Sequence, residues 1–332
     1  MECGRASSPE ELVDSWNGEC NVPLRVFSSE ELLKATNNFH PHNIITEDAF
    51  YLLYRGSFEE CPVLVKKFGK EGSFWPHEDI NLYATHDMAI TSQVCNHRNV
   101  LKIIGCCLEF QFPTLVYDCE TSIQVLSNGL SEMDRSSDNL TLAWETRLSI
   151  ANDIARALVH LHTAFSTPIV NRNLKPGNII IDQNGVAKLV DFSLAIRIPP
   201  GESQVEDIVV GTYGFADPEY VATGIVTVKT DVYAFGMTML ELLTGKRTVD
   251  ANRGGSHLDN LVKIYANKDD QLNEVVDARM IGDGIGVDQE QQFRAFVELA
   301  LRCVEEKRED KPEMKGVADE LSQIRRSVDA IN

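Results

Sequence analysis

Polar side chains that could act on a substrate are concentrated in one short stretch of this 332-residue chain. Residues 169–180 carry most of them: Asn171, Arg172, Asn173, Lys175 and Asn178. A carboxylate follows in Asp191-Phe192-Ser193, thirteen residues after Asn178. Amides have no charge and no useful basicity, so the amides of this stretch supply no general base. The chain has no His-Glu-x-x-His motif and no zinc-ligand spacing, so zinc-dependent hydrolysis is not predicted.

These stretches match, in order and spacing, the motifs of protein kinases. Residues 171–178 resemble the catalytic loop His-Arg-Asp-x-x-x-x-Asn, 191–193 resemble Asp-Phe-Gly, and 217–219 resemble Ala-Pro-Glu. Upstream, Val63-Leu64-Val65-Lys66 fits the strand that carries the phosphate-binding lysine, and the segment 231–236 resembles the helix whose Asp braces the catalytic loop. The resemblance covers roughly residues 25–325. It implies an α+β class and a bilobal protein kinase fold, with a β-rich N-lobe, one inserted helix and a helical C-lobe.

Other segments are similar to plant receptor-like kinases: 27–32 with 35–39, His97-Arg98-Asn99-Val100 and Gly105-Cys106-Cys107-Leu108-Glu109. Asn171-Arg172-Asn173 and Asp191-Phe192-Ser193-Leu194, together with a missing glycine loop, most resemble the ZED-related (ZRK) pseudokinase group of receptor-like cytoplasmic kinases.

The pattern of residue types predicts the elements that would position these groups. β-branched and aromatic residues between Phe50 and Phe68 indicate strands, and apolar residues at helical spacing from Leu148 to Leu161 indicate a long helix. Polar residues at 121–140 predict an exposed loop. We predict a flexible lead-in at 1–25, an N-lobe at 26–117 and a C-lobe at 118–332, as one kinase-like domain.

The groups that phosphoryl transfer requires are degenerate when compared with active kinases. The three positions of the phosphate-covering glycine loop hold Thr46, Asp48 and Tyr51. Asn173 replaces the catalytic Asp, and loss of a general base typically costs about 10²–10⁴ in rate. Asn171 replaces the preceding His. We therefore expect no catalytic residue and no kinase activity.

Four groups that bind Mg²⁺ and phosphate in active kinases are retained: Lys66, Lys175, Asn178 and Asp191. Two interpretations stay open. Lys66, Asn178 and Asp191 could form a residual nucleotide site, with Asn178 and Asp191 as metal ligands only if Mg-nucleotide binds; alternatively, Lys66 and Asp191 persist as a buried ion pair. The helix partner of Lys66 falls at Asp87 or Met88. We predict no required cofactor and weak ATP/Mg binding at most.

Residues 191–219 correspond to the kinase activation segment. Arg172 is of the type that pairs with a phosphate on this segment, which also contains Glu202, Glu206 and Asp207. One hypothesis is that a resident carboxylate replaces that phosphate, with Glu206 as the position to test. The alternative is a solvated acidic loop. Ser203, Thr212 and Tyr213 are candidate modification or partner sites, and Tyr117 resembles a gatekeeper tyrosine.

The composition limits the kinds of partner and the cellular location that we expect for this chain. Net charge is −19, which disfavours nucleic acid and anionic membrane surfaces. Eight cysteines without a Cys-x-x-Cys pair fit a reduced, cytoplasmic protein. No run of eighteen apolar residues is present, so no integral membrane segment is predicted. The first residues have no apolar h-region and no glycine at the second position, so we expect neither a secretory signal nor myristoylation.

The resemblance to the ZRK group implies an adaptor or decoy in plant immunity. The implied partners are a coiled-coil NLR immune receptor, related receptor-like cytoplasmic kinases and a bacterial effector, with plasma-membrane association only through partners. The activation segment would face the modified kinase. The alternatives are a weakly active Ser/Thr kinase and a nucleotide-sensing switch.

Overall fold

The computed structural model describes residues 24–70, 76–130, 142–248, 258–260, 262, 274–281 and 286–329. They belong to two compact units: one holds the described residues up to Ile123 together with Asp191–Ser193, and the other holds the rest. The lobe division at 117/118 stays a prediction. Of the predicted lead-in at 1–25, residues 1–23 lie outside the described residues.

The first unit is built on a six-stranded sheet of order β1-β5-β6-β4-β3-β2. Its strands are β1 Arg25–Val26, β2 Ile44–Glu47, β3 Tyr51–Phe58, β4 Cys61–Phe68, β5 Ile103–Cys107 and β6 Thr114–Asp118. Helix α1 is Ser29–Ala35 and helix α2 is His77–Val94. The pairing of β3 with β4 and of β4 with β6 is antiparallel, which places Lys66 of β4 between Leu53 and Leu115.

The segment around α1 covers one side of this sheet. Ser28 caps α1, and Glu31 accepts a hydrogen bond from the Ser28 backbone N–H, which completes a capping box. The chain leaves the helix through Asn37, Asn38 and Phe39, all with positive φ. Phe39 then packs against Tyr54 of β3, with ring centroids 5.1 Å apart. Ser28 and Phe39 thus fix the two ends of this segment, one by capping the helix and the other by packing on the sheet.

The second unit contains most of the helices. Its helices are α3 Leu126–Leu130, α4 Trp144–Thr163, α5 Pro218–Thr223, α6 Val228–Thr244, α7 Ala278–Ile281, α8 Val287–Cys303 and α9 Met314–Asp329, with a 3₁₀ turn at Pro176–Asn178. Its strands are β7 Ile123–Val125, β8 Ile169–Val170, β9 Ile179–Asp182, β10 Ala187–Leu189, β11 Ile196–Arg197, β12 Val205–Glu206 and β13 Ile225–Val226. The first residue of β7, Ile123, is counted with the first unit. Small sheets have the orders β10-β9-β7, β11-β8 and β12-β13.

Helices α4 and α6 form the centre of the second unit. Helix α6 is buried along nearly its whole length, and a Cβ at Gly236 would lie 2.7 Å from Cys303 of α8, so glycine permits the close packing of these helices. Helix α6 ends at Gly245, whose left-handed φ of 64° closes it.

The prediction of an exposed loop at 121–140 is wrong for its first half. Residues 123–130 form β7 and α3, in which Val125, Leu126 and Leu130 are buried. Apolar side chains interspersed among the polar ones supply the buried face. Residues 131–140 lie outside the described residues. Among the helices that are described, none combines the length and the apolar character needed to cross a membrane.

Candidate functional site

The first unit contains a fully buried charge cluster centred on Lys66. The Lys66 Nζ donates hydrogen bonds to Asp87 Oδ2 at 2.6 Å and to Asp191 Oδ1 at 2.5 Å, and all three side chains are buried. Strand β4 supplies the lysine, α2 supplies Asp87, and the 191–193 segment supplies the second carboxylate. The ion pair between Lys66 and Asp191, one of the two interpretations left open by the sequence, is present.

The structure settles which α2 residue faces Lys66. The partner is Asp87, while Met88 is buried without a place in the ion-pair cluster. The second oxygen of Asp87, Oδ1, accepts hydrogen bonds at 3.0 Å from the Thr91 hydroxyl and from the Phe192 backbone N–H. Both carboxylate oxygens are thus used inside the unit, which fixes α2 to the segment that carries Asp191.

Tyr51, at the third glycine-loop position, lies against the ammonium. Lys66 Nζ is 3.8 Å from the centroid of the Tyr51 ring, and Tyr51 is itself fully buried. The chain turns tightly before it: Asp48 N–H donates to Tyr51 O at 3.0 Å, so a short turn joins β2 to β3. An aromatic ring therefore fills the space beside Lys66 that a glycine would leave open.

Burial and neighbouring charges together shift the pKa values of the groups in this cluster. Burial raises the pKa of Asp87, and Lys66 only partly opposes this. Burial lowers the pKa of Lys66, but the charges of Asp191 and Asp87 outweigh burial, so the pKa is raised overall. Burial, followed by the charge of Asp191, raises the pKa of Tyr51 well above its usual range. The lysine stays charged and Tyr51 stays neutral at physiological pH.

In the second unit, Asp231 of α6 holds the loop that carries the degenerate base. Its carboxylate accepts hydrogen bonds from the backbone N–H groups of Asn171 at 2.8 Å and Arg172 at 2.9 Å. Nε2 of His162 lies 3.0 Å from the same carboxylate. Arg172 has a φ of 61°, a conformation that costs energy for a non-glycine residue and is stabilised here by these bonds.

Asn173 takes part in a hydrogen-bond network with Thr212, Lys175 and Asn178 at the catalytic-loop position. Its Oδ1 accepts a hydrogen bond from the Thr212 hydroxyl at 2.8 Å, and Lys175 Nζ donates to that hydroxyl at 2.9 Å. Asn178 Nδ2 donates to Asn173 O at 2.9 Å. Of the residues predicted for a residual nucleotide site, Lys66 and Asp191 belong to the first unit and Asn178 belongs to the second.

A resident carboxylate pairs with Arg172, and it belongs to Asp207. Arg172 Nη1 donates to Asp207 Oδ2 at 2.7 Å, and Arg172 Nε donates to Leu194 O at 2.6 Å. Glu206, the test position expected from the sequence, is exposed in β12. The choice of Glu206 is corrected because β12 ends there: just past the strand, the Asp207 backbone N–H donates to Gly224 O at 3.0 Å and the Asp207 carboxylate reaches Arg172.

We predict that loss of the Arg172–Asp207 pair makes the surrounding segment more sensitive to proteases. Asp207→Ala removes a charged hydrogen bond worth about 1–2 kcal/mol locally, and cleavage of the 202–215 segment should rise at least about fivefold. Limited proteolysis followed by mass spectrometry measures it. Glu206→Ala removes the same charge one residue away and should leave the cleavage rate unchanged. Equal rates for the two variants would contradict a holding role for the pair.

The candidate modification residues lie in different environments. Ser203 and Tyr213 are exposed, with 73% of Tyr213 accessible, whereas Thr212 is half-buried in the network of Asn173. The end of the segment is anchored by Lys311, whose Nζ donates to Asp217 Oδ2 at 2.7 Å, and by Arg308, which pairs with Glu219. The role of Tyr51 was not predicted from the sequence, whereas Asp207 was one of three carboxylates considered as partners of Arg172. A bulky residue at a glycine position was the available signal for Tyr51.

Comparison with known proteins identifies the same family as the motifs and the fold do. Residues 60–320 match the protein kinase domain. The chain is 41% identical to the Arabidopsis thaliana "non-functional pseudokinase ZED1", over 95% of this chain and 93% of that protein. It is 38% identical to "serine/threonine-protein kinase ZRK1" (96% and 90%) and 36% identical to "non-functional pseudokinase ZRK2" (95% and 87%), both from the same plant.

The family assignment made from the motifs is therefore confirmed, as is the α+β kinase fold. The match extends over nearly the whole chain in each of these relatives, and two of the three are named pseudokinases. The chain belongs to the protein kinase family and, within it, to the ZRK group of kinases and pseudokinases.

Proposed function

We propose that this chain is a catalytically inactive pseudokinase of the plant cytoplasm. It would act as an adaptor or decoy in immunity, linking a coiled-coil NLR receptor to effector-modified kinases or to effectors. The observation that carries the loss of catalysis is the environment of Lys66, whose ammonium is surrounded by Asp87, Asp191 and the ring of Tyr51.

An ammonium has three N–H donors, and the protein surrounds the Lys66 ammonium on all three sides. Two point to carboxylates at 2.6 and 2.5 Å, and the third side of the ammonium is covered by an aromatic ring at 3.8 Å. In active kinases the equivalent lysine serves the nucleotide phosphates. Because Lys66 is fully buried, a phosphate could reach it only after Tyr51 moved. The residues at Lys66 thus fit a nucleotide poorly, and no step through ATP or Mg²⁺ is assigned to them.

The base position supports the same conclusion independently. Asn173 donates or accepts hydrogen bonds but cannot take a proton from a substrate hydroxyl. Its Oδ1 already accepts from Thr212. The chain thus has two defects, an amide at the base position and a covered Lys66. Repair of only one of them would still leave poor phosphate transfer.

The adaptor role is supported by family resemblance and by the names of relatives, which include "non-functional pseudokinase" for ZED1 and ZRK2. An inactive kinase fold retains a large, ordered surface, and the β12–β13 region exposes the apolar side chains of Ile208, Val209 and Val221. Exposed apolar groups close together are typical of protein-binding surfaces. These features suit a protein that acts by binding other proteins.

A second candidate is a weak kinase or a nucleotide-sensing switch. The name of ZRK1, "serine/threonine-protein kinase", favours it, as does the retention of Lys175, Asn178 and Asp191. A switch would bind Mg-nucleotide without turnover, whereas a weak kinase would also transfer phosphate.

The melting temperature in the presence of Mg-ATP separates the adaptor from the switch. For a site with a Kd of about 10 µM, about 1 mM ligand would add about 2.7 kcal/mol and raise the melting temperature by several degrees. We expect a shift below about 1 °C. Mg-ADP and Mg²⁺ alone serve as controls for metal effects. A nucleotide-specific rise of several degrees would favour the switch.

A further inference from the structure

The first unit contains a cavity of about 230 Å³ that the roles described so far do not use. Three elements build it: strand β1, helix α1 and the hairpin between β3 and β4. Charged, hydroxyl and aromatic side chains are among its lining residues: Arg25, Glu31, Lys34, Ser57, Phe58 and Glu59. Sites for drug-sized ligands enclose about 300–1,000 Å³, so this cavity suits a smaller molecule.

The elements around this cavity are packed against one another. A Cβ at Gly56 of β3 would lie 3.0 Å from Ala35 O, so glycine lets the end of α1 come close to the strand. Phe58, two residues further along β3, stacks on Phe27 with ring centroids 4.9 Å apart. The cavity therefore lies between elements whose positions are fixed by packing.

Two of the charged lining residues neutralise each other. Arg25 Nη2 pairs with Glu31 Oε1, and the Arg25 guanidinium lies 4.4 Å from the ring centroid of Phe27. The other oxygen of Glu31 accepts hydrogen bonds from the backbone N–H of Ser28 at 2.8 Å and from its hydroxyl at 3.1 Å. These bonds lower the pKa of Glu31, so its carboxylate stays charged and matches Arg25.

Two further charges at the cavity, Lys34 and Glu59, are not used in this way. Lys34 lies in the last turn of α1, and Glu59 lies in the turn that joins β3 to β4. Within the part of the chain that the structure describes, neither side chain has an ion-pair or hydrogen-bond partner. The cavity thus has one available cation and one available anion, supplied by two different elements. This arrangement matches a ligand that has one group of each sign.

The turn that supplies Glu59 is strained. Phe58 pairs with Cys61, so Glu59 and Glu60 form a two-residue turn, and their φ values are 46° and 73°. Turns with positive φ at both residues favour Asn-Gly, and a glutamate is costly there. Residues held in costly backbone conformations are concentrated at ligand-binding and catalytic sites. The strained turn is an observation independent of the charges, and it concerns the residue that brings the available anion to the cavity.

We propose that this cavity binds a small zwitterion of the size of a free amino acid. Its carboxylate would pair with the Lys34 ammonium, and its ammonium would pair with Glu59 and the Ser57 hydroxyl. A short apolar side chain of the ligand would contact the ring of Phe58. Because the chain has a net charge of −19, it repels simple anions, whereas a zwitterion has no net charge.

This inference goes beyond the adaptor role. None of the lining residues of the cavity belongs to the Lys66 cluster or to the activation segment. The bound ligand is a small molecule, so the site requires no protein partner.

The test is titration of L-leucine into the purified full-length chain, followed by ligand-observed NMR. We expect saturable binding with a Kd of about 1 mM or below. N-acetyl-L-leucine lacks the ammonium and L-leucinamide lacks the carboxylate, so each should bind at least about tenfold more weakly. Lys34→Ala and Glu59→Gln should each weaken the binding of L-leucine at least about tenfold at an unchanged melting temperature. Lys34→Arg keeps the positive charge and should stay within about threefold of the unmodified chain.

Two exposed residues of the same unit supply matched controls. Glu60→Gln removes a carboxylate from the same turn, and Lys102→Ala removes a lysine just before β5; neither residue lines the cavity. Both variants should bind L-leucine as the unmodified chain does. The proposal would be overturned by a lack of saturation up to about 20 mM L-leucine. Equal binding of either derivative, or an equal loss in Glu60→Gln, would also overturn it. These results are independent of phosphate transfer and of nucleotide binding, so they leave the pseudokinase assignment untouched.

Discussion

Lys66→Met is expected to lower the free energy of unfolding by about 3–5 kcal/mol at pH 7, because it leaves two buried carboxylates without their shared cation. Asp87 and Asp191 both lie within 2.6 Å of Lys66 Nζ and both are fully buried. Repulsion between them adds to the cost of keeping each away from water. Urea denaturation followed by circular dichroism measures the loss.

The loss in Lys66→Met should depend on pH in a defined direction. Burial already raises the pKa of Asp87 above its unfolded value of about 3.9, and removal of Lys66 raises it further. The folded variant then holds a proton that the unfolded chain releases, so its stability falls as pH rises from about 4 through the folded pKa. The deficit should be smallest near pH 4–5 and largest at pH 7 and above.

Lys67→Met is the matched control for this prediction. Lys67 is the next residue of β4, is only half-buried, and its ammonium lies 4.6 Å from the ring centroid of Phe39. We expect a loss below about 1 kcal/mol with little dependence on pH. If Lys66→Met were no more destabilising than Lys67→Met, Lys66 would not stabilise the two buried carboxylates as described.

Tyr51→Gly is expected to raise the affinity for Mg-ATP at least about tenfold above that of the unmodified chain. Loss of the ring uncovers the third donor of Lys66 and restores a glycine at a phosphate-covering position. The removed side chain leaves a cavity, so the variant should also lose about 3–5 kcal/mol of stability. Isothermal titration calorimetry at low temperature, where the variant stays folded, measures the affinity.

Tyr51→Phe separates the ring from the hydroxyl group. It keeps an aromatic face over the Lys66 ammonium, 3.8 Å away in the unmodified chain, and should bind nucleotide as poorly as that chain. A folded Tyr51→Gly variant with no gain in affinity would mean that another feature excludes the nucleotide. A gain in Tyr51→Phe would assign the exclusion to the hydroxyl.

The motifs predicted the kinase fold and most of the groups at the degenerate site, because order and spacing along the chain are retained even where chemistry is lost. Counting along α2 could not choose between Asp87 and Met88, since neighbouring residues of a helix differ by about 100° and both are buried here. Only the three-dimensional position of Lys66 decides it.

Two further results could not be read from residue types alone. The sequence shows that Tyr51 is not glycine, but the space that its ring fills depends on the turn between β2 and β3 and on the pairing of β3 with β4. Similarly, Glu206 and Asp207 are equivalent as charges. Strand β12 ends at Glu206, which stays exposed, and Asp207, the first residue after the strand, pairs with Arg172.

The proposed function depends most on the absence of phosphate transfer by this chain. The direct measurement is incorporation of radiolabelled phosphate by purified protein with Mg²⁺ or Mn²⁺, alongside Lys66→Arg, which keeps the buried charge, and Asn173→Asp, which restores the base. We predict no incorporation above the Lys66→Arg blank, and none in Asn173→Asp, because Tyr51 still covers Lys66. Incorporation by the unmodified chain that is lost in Lys66→Arg would refute the pseudokinase assignment and identify the protein as an active kinase.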